Sequence, residues 1–325
     1  MTKFQTKKST FFNYFYIFSI LFIICQMVIT PMTAISAFGQ GVIIWATKIL
    51  PALLPFFVLT TLLSYTTFTS TVGKWLSPIT NKLYGVGGVA GYVYLMSIMS
   101  GYPVGAKLTA DLYRKDIITS PQAISISAFT STSGPLFVIG TVGVGFFGSQ
   151  KIGIIVLITH LLGALINGIF YRQKCNSNTH ILGVKPITRN VLNDSMASSI
   201  ASIMTVGGFI AIFYMILQLL LSIGIFNIPA LLFAKIGISP DITIGIMSGL
   251  IEVTSGALAL SQCHIGSDLA IVLLSFLVSF GGISIHAQAY CFLKDFDMPY
   301  YKFLLQKLTH ALISAALAFI IVLVF

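Results

Sequence analysis

Long apolar runs separated by short polar stretches make up most of this chain. A helix needs about 20 apolar residues to cross a bilayer core of about 30 Å, and the run that begins at Phe11 has this length. Pro51 and Pro55 should kink the second run. The first half is therefore predicted to contain three spans: about 11–36 (an uncleaved first helix), about 39–68 and 149–172.

Other apolar runs in the first half are interrupted by Gly, Pro or hydroxyl residues. Residues 88–114 are broken at Gly101–Gly105. Each half is too short to cross the bilayer, so we predict a re-entrant hairpin. Residues 119–147 are long enough to cross but are broken at Thr130–Pro135. The segment 70–84 predicts an amphipathic helix at the membrane interface.

The second half of the chain repeats this order of elements. We expect a helix, a short segment, a second re-entrant hairpin broken around Glu252, a helix broken at 281–288 and a last span, over about 194–225, 228–236, 241–264, 267–293 and 299–325. A shift of 147 residues places Ala123, Phe129 and Gly134 on Ala270, Phe276 and Gly281. We interpret this correspondence as an internal repeat.

Composition excludes a soluble protein. The chain is 56% apolar and 8% charged, with a mean hydropathy of +0.96, whereas a soluble domain carries about 25% charged residues. The net charge of +10 falls in short loops between apolar runs, so it indicates membrane topology rather than a nucleic-acid partner. Four cysteines without metal-binding spacing fit reduced structural thiols.

The distribution of Lys and Arg predicts the orientation, because basic loops stay in the cytoplasm. A cytoplasmic N-terminus and an extracytoplasmic C-terminus place most basic residues inside: Lys74, Lys82, Arg114, Lys115, Arg172, Lys174, Lys185, Arg189, Lys294, Lys302 and Lys307. Three fall outside: Lys48, Lys151 and Lys235. The two hairpins then enter from opposite sides, which makes the repeat inverted.

The predicted fold is an all-α polytopic membrane protein with an inverted-topology repeat, two re-entrant helical hairpins and two broken transmembrane helices. It divides into an N-terminal helix, a first repeat, a cytoplasmic linker and a second repeat, at 1–38, 39–172, 173–192 and 193–325.

Several motifs resemble one family. They are Leu50–Phe57, Ser100–Lys107, Phe129–Phe137, Gly207–Phe209, Glu252–Gly256 and Ser279–Gln288. Together they resemble the YlbJ-type sporulation integral membrane proteins, within the wider nucleoside-recognition (Gate) group, from about residue 40 to the end. The resemblance implies a bacterial inner-membrane protein, linked to spore cortex formation in spore formers, with distant kinship to concentrative nucleoside transporters.

Glu252 is the only glutamate in the chain and lies in an apolar stretch with Thr254 and Ser255. A carboxylate at membrane depth costs about 2.5–3.5 kcal/mol on insertion scales, so it indicates a functional site. It is a candidate for a coupling proton, a sodium ion or the hydroxyls of a solute. The alternative is a structural carboxylate that bonds a neighbouring helix.

The segment Gly101, Tyr102 and Pro103 should unwind a helix, because Gly permits unusual dihedrals and Pro lacks an N–H. Backbone groups freed at membrane depth must face protein or a water-lined cavity, and a half-helix N-terminus suits an anion. The alternative is a packing kink.

Four hydroxyl residues precede Gly134: Thr130, Ser131, Thr132 and Ser133. Their hydroxyls suit a ribose, another hydroxylated solute or a dehydrated cation. They also suit bonds back to the carbonyls of their own helix.

Lys107 and Asp111 are four residues apart and should share a helix face. Lys107 is a candidate solute contact, with an ion pair to Asp111 as the alternative. Ser284, His286 and Gln288 follow the last break. Gln can present its amide edge to a base and His can relay protons, or the His is structural.

The leading hypothesis is a secondary transporter for a small polar, hydroxyl-bearing solute, with nucleoside-like compounds among the candidates and a proton or sodium ion as the coupling ion. The bilayer is its first partner, and a homo-oligomer is compatible with the sequence. The alternative is a non-transporting scaffold or gate that acts with partner proteins in envelope or spore assembly. An enzyme using Ser131 or Ser133 with His286 is disfavoured, and no motif indicates a cofactor, a metal or ATP.

Overall fold

The computed structural model describes residues 2–173 and 190–324. These ranges contain fifteen α-helices and no strand: α1 Thr2–Ile29, α2 Pro31–Ile44, α3 Leu50–Leu63, α4 Phe68–Tyr84, α5 Val89–Ser100, α6 Val104–Arg114, α7 Ser120–Thr130, α8 Gln150–Phe170, α9 Val191–Ser222, α10 Asn227–Ala234, α11 Pro240–Ile251, α12 Val253–Gln262, α13 Ser267–Phe280, α14 Gly282–Leu293 and α15 Tyr300–Val324. Trp45–Ile49 and Leu136–Phe146 are π-helical, and Lys294–Phe296 forms a 3₁₀ turn. The all-α prediction is confirmed. The predicted linker 173–192 lies largely outside the described residues.

Within the described ranges, four helical segments are long and apolar enough to cross a bilayer: Gln150–Phe170, Val191–Ser222, Ser267–Phe296 and Tyr300–Val324. Two sharply bent pairs raise the number to six if each counts as one span. Several of the outward-facing side chains on α9, α10 and α15 are large and apolar, as expected for helices in contact with lipid. The protein is therefore polytopic.

The N-terminal helices differ from the prediction of single spans at 11–36 and 39–68. The first span is broken at Thr30, because Pro31 disfavours helical geometry in the residue before it. Tyr16–Ile29 and Pro31–Ile49 meet at 106°. The helix then continues to Leu63 through the π-helical segment Trp45–Ile49, which directly precedes the turn containing Pro51.

The four predicted breaks are present. α5 and α6 are separated at Gly101–Pro103, α7 ends before 131–135, and α11 and α12 are interrupted at Glu252. The fourth break is narrower than predicted, since α14 already begins at Gly282. Its predicted extent of 281–288 is wrong because Gly281 and Gly282, both with positive φ, make the whole turn.

The two halves share the predicted order of elements. The series α5, α6, α7, π-helical segment and α8 corresponds to α11, α12, α13, α14 and α15. Side-chain contacts follow nearly the same shift: His160 of α8 bonds Ser279 of α13, and Lys307, 147 positions after His160, bonds the carbonyl of Ser131, 148 positions before Ser279, at the end of α7. These contacts are compatible with a repeat, while its inversion across the membrane stays a prediction.

α15 packs against α8, α13 and α7 and lies beside the second break. α8 and α15 pack closely, since a Cβ atom added to Gly163 of α8 would lie 2.1 Å from Ser314 Oγ of α15. The Gln306 amide of α15 accepts a hydrogen bond from Ser127 of α7 at 3.0 Å and donates to the Ile124 carbonyl at 2.8 Å. This packing brings the polar face of the last helix to the second break.

Candidate functional site

The first three breaks and helix α14, which follows the fourth break, meet around one cavity, which we call the central cavity. Its polar lining comes from the first break (Ser100, Gly101, Tyr102), the second (Ser133, Gly134), the third (Glu252, Thr254) and α14 (Ser284, Gln288). The exposed Lys48 also contributes to the lining. The cavity volume is about 70 Å³, well below the roughly 300–1,000 Å³ of sites for drug-sized ligands. The central cavity in this structure is therefore smaller than a site for a drug-sized ligand.

The tip of the first hairpin rests directly on the second break. Gly101 has φ +75° and ψ −168°, a region that is essentially restricted to glycine. A Cβ at Gly101 would lie 2.8 Å from the backbone nitrogen of Gly134. The second half repeats this contact, since a Cβ at Gly282 would lie 2.9 Å from the carbonyl oxygen of Gly249. Each hairpin is thus locked against the broken helix that follows it.

The backbone groups of the second break are bonded by side chains from three other elements. Ser97 of α5 donates to the Thr130 carbonyl, and Lys307 Nζ of α15 donates to the Ser131 carbonyl at 3.0 Å. The Ser133 N–H donates to His160 Nε2 of α8 at 2.8 Å. Because a break at membrane depth leaves backbone groups without helical partners, these contacts hold it open.

The four hydroxyls at this break have different surroundings. Thr130 bonds back to the Ile126 carbonyl of its own helix at 2.9 Å, and Thr132 bonds Ser97 Oγ at 2.8 Å. Ser133 lines the central cavity. The Ser131 hydroxyl is buried without a hydrogen-bond partner in the described structure. Of the four hydroxyl residues, only Ser133 lines the central cavity.

Glu252 is buried and caps the N-terminus of α12. Its carboxylate accepts from the N–H of Thr254 at 3.0 Å and from the N–H of Ser255 at 2.7 Å. The Ser255 hydroxyl adds a third bond at 2.7 Å. A helix N-terminus stabilises a negative charge, so the carboxylate has a structural role here while it also lines the central cavity.

Ser284 and Gln288 are one turn apart on α14, and the Gln288 amide approaches Ser284 Oγ at 3.4 Å. Both line the central cavity. His286 is not among its lining residues, and its nitrogens lie 2.9 Å from the Phe280 carbonyl and 3.3 Å from the Tyr300 hydroxyl. His286 is thus engaged elsewhere, which removes the geometric basis for its activating Ser131 or Ser133.

A second, larger cavity of about 360 Å³ lies on the other side of the first break. Lys107 projects into it and donates to Ser198 and Ser202 of α9, both at 2.9 Å. The predicted alternative of an ion pair between Lys107 and Asp111 is wrong, because Asp111 pairs with Arg114 at 2.9 Å. The side chain of Lys107 is long and its ammonium group has three N–H donors, so it can bond two hydroxyls on a neighbouring helix.

The first break separates the two cavities. Its residues Ser100 to Tyr102 line the central cavity, whereas Pro103 and Val104 line the larger one. Ser100 Oγ donates to Thr60 Oγ1 at 3.4 Å, and Thr60 also lines the larger cavity. The first break thus forms part of the wall of both cavities.

Comparison with known proteins supports the resemblance drawn from the motifs. Residues 46–150 match the Gate family, described as nucleoside recognition. The chain is 29% identical over 324 residues to the sporulation integral membrane protein YlbJ of Bacillus subtilis (strain 168), which covers 91% of this chain and 79% of that protein. The chain is thus similar to YlbJ over most of its length, and its residues 46–150, called the Gate segment below, are similar to the Gate family. No solved structure matches it significantly. Neither name describes an enzyme.

The Gate segment contains the first two breaks and the helices around them. Glu252, Ser284 and Gln288 lie outside the segment and complete the central cavity from the second half of the chain. The cavity is therefore a product of the whole chain rather than of the Gate segment.

Sequence reasoning missed Lys307, His160 and His310. Lys307 was assigned to the cytoplasmic side as a topology marker, but it is 2% exposed and bonded inside the protein. His160 and His310 stack with ring centroids 4.9 Å apart. The sequence did contain a signal for Lys307, which lies within the last apolar span. An ionisable residue in such a span indicates a functional site.

Proposed function

We propose that the protein is a secondary transporter of a small polar, hydroxyl-bearing solute in the bacterial cell membrane. The observation that carries this proposal is the convergence of four interrupted helical segments, two from each half, on one cavity to which each of them contributes a polar side chain. Discontinuous helices that meet at a repeat interface are the architecture of secondary-transporter sites. The name of the Gate family makes nucleosides the first solutes to test.

The lining of the central cavity fits a solute with several hydroxyl groups. The Glu252 carboxylate can accept from such hydroxyls, and the Gln288 amide can both donate and accept. The hydroxyl groups of Ser100, Ser133 and Ser284 offer further bonds of both kinds. The cavity must widen to admit a solute, and movement of the first break would open it toward the larger cavity.

The similarity to YlbJ supports a role in sporulation or envelope assembly, with transport as the activity behind it. A scaffold that acts only through partner proteins is the competing function. The two differ at the central cavity, because a transporter requires its polar lining and a scaffold does not.

The test is uptake of a panel of radiolabelled nucleosides into proteoliposomes that contain the full chain. Glu252→Gln should lower uptake about tenfold or more, since losing one hydrogen bond to a charged group costs about 1.5–3 kcal/mol. Asp268→Asn is the matched control, because it removes an exposed carboxylate at the N-terminus of α13 and should leave uptake unchanged. Glu252→Asp keeps both the charge and the cap.

Three results would count against parts of this proposal. Absence of uptake by correctly reconstituted wild-type protein would favour the scaffold. Full uptake by Glu252→Gln would exclude Glu252 from the site. Loss of folded Glu252→Gln protein, with Glu252→Asp intact, would make the carboxylate a structural cap only.

A further inference from the structure

Lys307 joins the first two breaks to the last helix. Its Nζ donates to the Tyr102 hydroxyl at 2.6 Å and to the Ser131 carbonyl at 3.0 Å. It also lies 4.7 Å from the centre of the Tyr102 ring, a distance that permits a cation–π contact. Tyr102 belongs to the first break and Ser131 to the second. One ammonium group therefore holds together two segments that line the central cavity.

No carboxylate balances this charge in the described part of the chain. The ion pairs found there are those of Arg114 with Asp111 and Asp295. An isolated buried ammonium is costly, and oriented dipoles can offset part of the cost. Ser131 is the residue at which α7 ends, so the negative end of that helix dipole points to the ammonium.

The titratable groups near Lys307 are one tyrosine and three histidines. Tyr102 approaches from the first break, His160 from α8, His286 from α14 and His310 from α15 itself. From α7 the Ser131 carbonyl accepts a bond from Lys307, and on α13 Ser279 bonds His160. Among the described residues, these groups near Lys307 offer hydrogen bonds, and none of them is a carboxylate.

A carbonyl oxygen freed by a helix break, together with hydroxyl oxygens, is the ligand set that transporters use for a coupling cation. The buried Ser131 hydroxyl has no hydrogen-bond partner in the described structure, so one oxygen of this ligand set is still free to bind. A lysine ammonium has the charge of a sodium ion and donates to the same oxygens. Lys307 thus takes the place of a metal cation.

We propose that the ammonium group of Lys307 occupies the cation site of these two breaks, and that the coupling ion is a proton carried on Lys307 Nζ rather than a sodium ion. The proposal rests on the transport function above. In the coupling step one N–H bond of the ammonium breaks, the proton goes to water and a neutral amine remains. Its hydrogen bonds become about half as strong, which loosens both breaks from α15.

The test measures thermal unfolding of the purified full chain in sodium chloride and in choline chloride at equal ionic strength. Wild-type protein should unfold at the same temperature in both salts. Lys307→Ala should gain a sodium-dependent rise of roughly 2–4 °C, because the vacated oxygens become available to the metal ion and a ligand of the native state raises Tm. Lys302→Ala, which removes an exposed lysine of the same helix, should behave like wild type.

Lys307→Arg provides a second variant that keeps a cation in the site and cannot lose its proton. It should show no sodium response and should abolish proton-driven uptake. A sodium response of wild-type protein would overturn the inference, even if Lys307→Ala did not fold. Absence of a sodium response in folded Lys307→Ala would overturn it as well. The unfolding measurements need no solute, so their outcome is separate from a failure of the transport proposal.

Discussion

The backbone of the second break is bonded by side chains from distant helices. Backbone groups at the third and fourth breaks are bonded by residues close to them in sequence, although the Ser279 side chain also bonds His160. Lys307 and His160 bond the backbone at Ser131 and Ser133 from positions far along the chain. In the second half, Glu252 caps the helix that starts beside it. The Phe280 carbonyl lies 2.9 Å from Nε2 of His286, six residues later.

The difference shows that one architectural feature can be stabilised in two ways. A break satisfied by adjacent residues keeps its shape when the surrounding helices move. A break satisfied by remote side chains changes its partners when those helices move, because its hydrogen bonds cross element boundaries. We therefore expect the first half to carry the moving gate between the two cavities, and the second half to supply a more rigid wall.

The largest expected effect concerns membrane topology, because a reporter fused to one end of the chain gives either full signal or none. If the halves are inverted, a reporter active only in the cytoplasm should give full signal before Met1 and none after Phe325, because basic loops stay inside. Paired fusions with a reporter active only outside should give the opposite pattern. A cytoplasmic C-terminus would place both halves in the same orientation and remove the inverted relation.

The glycines at the breaks provide a second test. Gly101→Ala should destabilise the protein by roughly 2–6 kcal/mol, from a backbone conformation restricted to glycine and from the 2.8 Å approach to Gly134. Gly281→Ala should cost only about 1–2 kcal/mol, since Gly281 is left-handed and its nearest neighbour is the Ile285 side chain at 3.3 Å. Thermal unfolding in detergent measures both, and equal shifts would contradict the difference.

Two serines provide the test with the smallest effect. Ser97→Ala should cost about 1–3 kcal/mol, because the buried Thr130 carbonyl and Thr132 hydroxyl lose a partner from another helix. Ser255→Ala should cost about 0.5–1.5 kcal/mol, since two backbone N–H groups still bond the Glu252 carboxylate. Unfolding of the two variants in the same detergent checks the order. A larger loss for Ser255→Ala would show that the local bonds of the third break contribute more than the interhelical bonds of the second break, contrary to the expected order.

Features that depend on local chemistry were predictable from the sequence. Apolar length indicated the spans, and Gly and Pro marked the breaks at Gly101–Pro103 and Gly281. The hydroxyl run before Gly134 marked the second break, and a lone glutamate marked the third. These features can be predicted because a membrane helix must satisfy its backbone hydrogen bonds within the segment. Each interruption therefore needs particular residue types, which are visible in the sequence.

Partners from distant helices were decided by the tertiary structure alone. The sequence placed Lys307 among topology markers and left His160 without a role, yet both bond the second break. It suggested an ion pair for Lys107 and Asp111, whose side chains instead bond Ser198 and Arg114. Spacing along one helix shows which side chains share a face. Only the packing of α8, α9 and α15 determines what that face meets, because long polar side chains bond whichever group the neighbouring helix brings within about 3 Å.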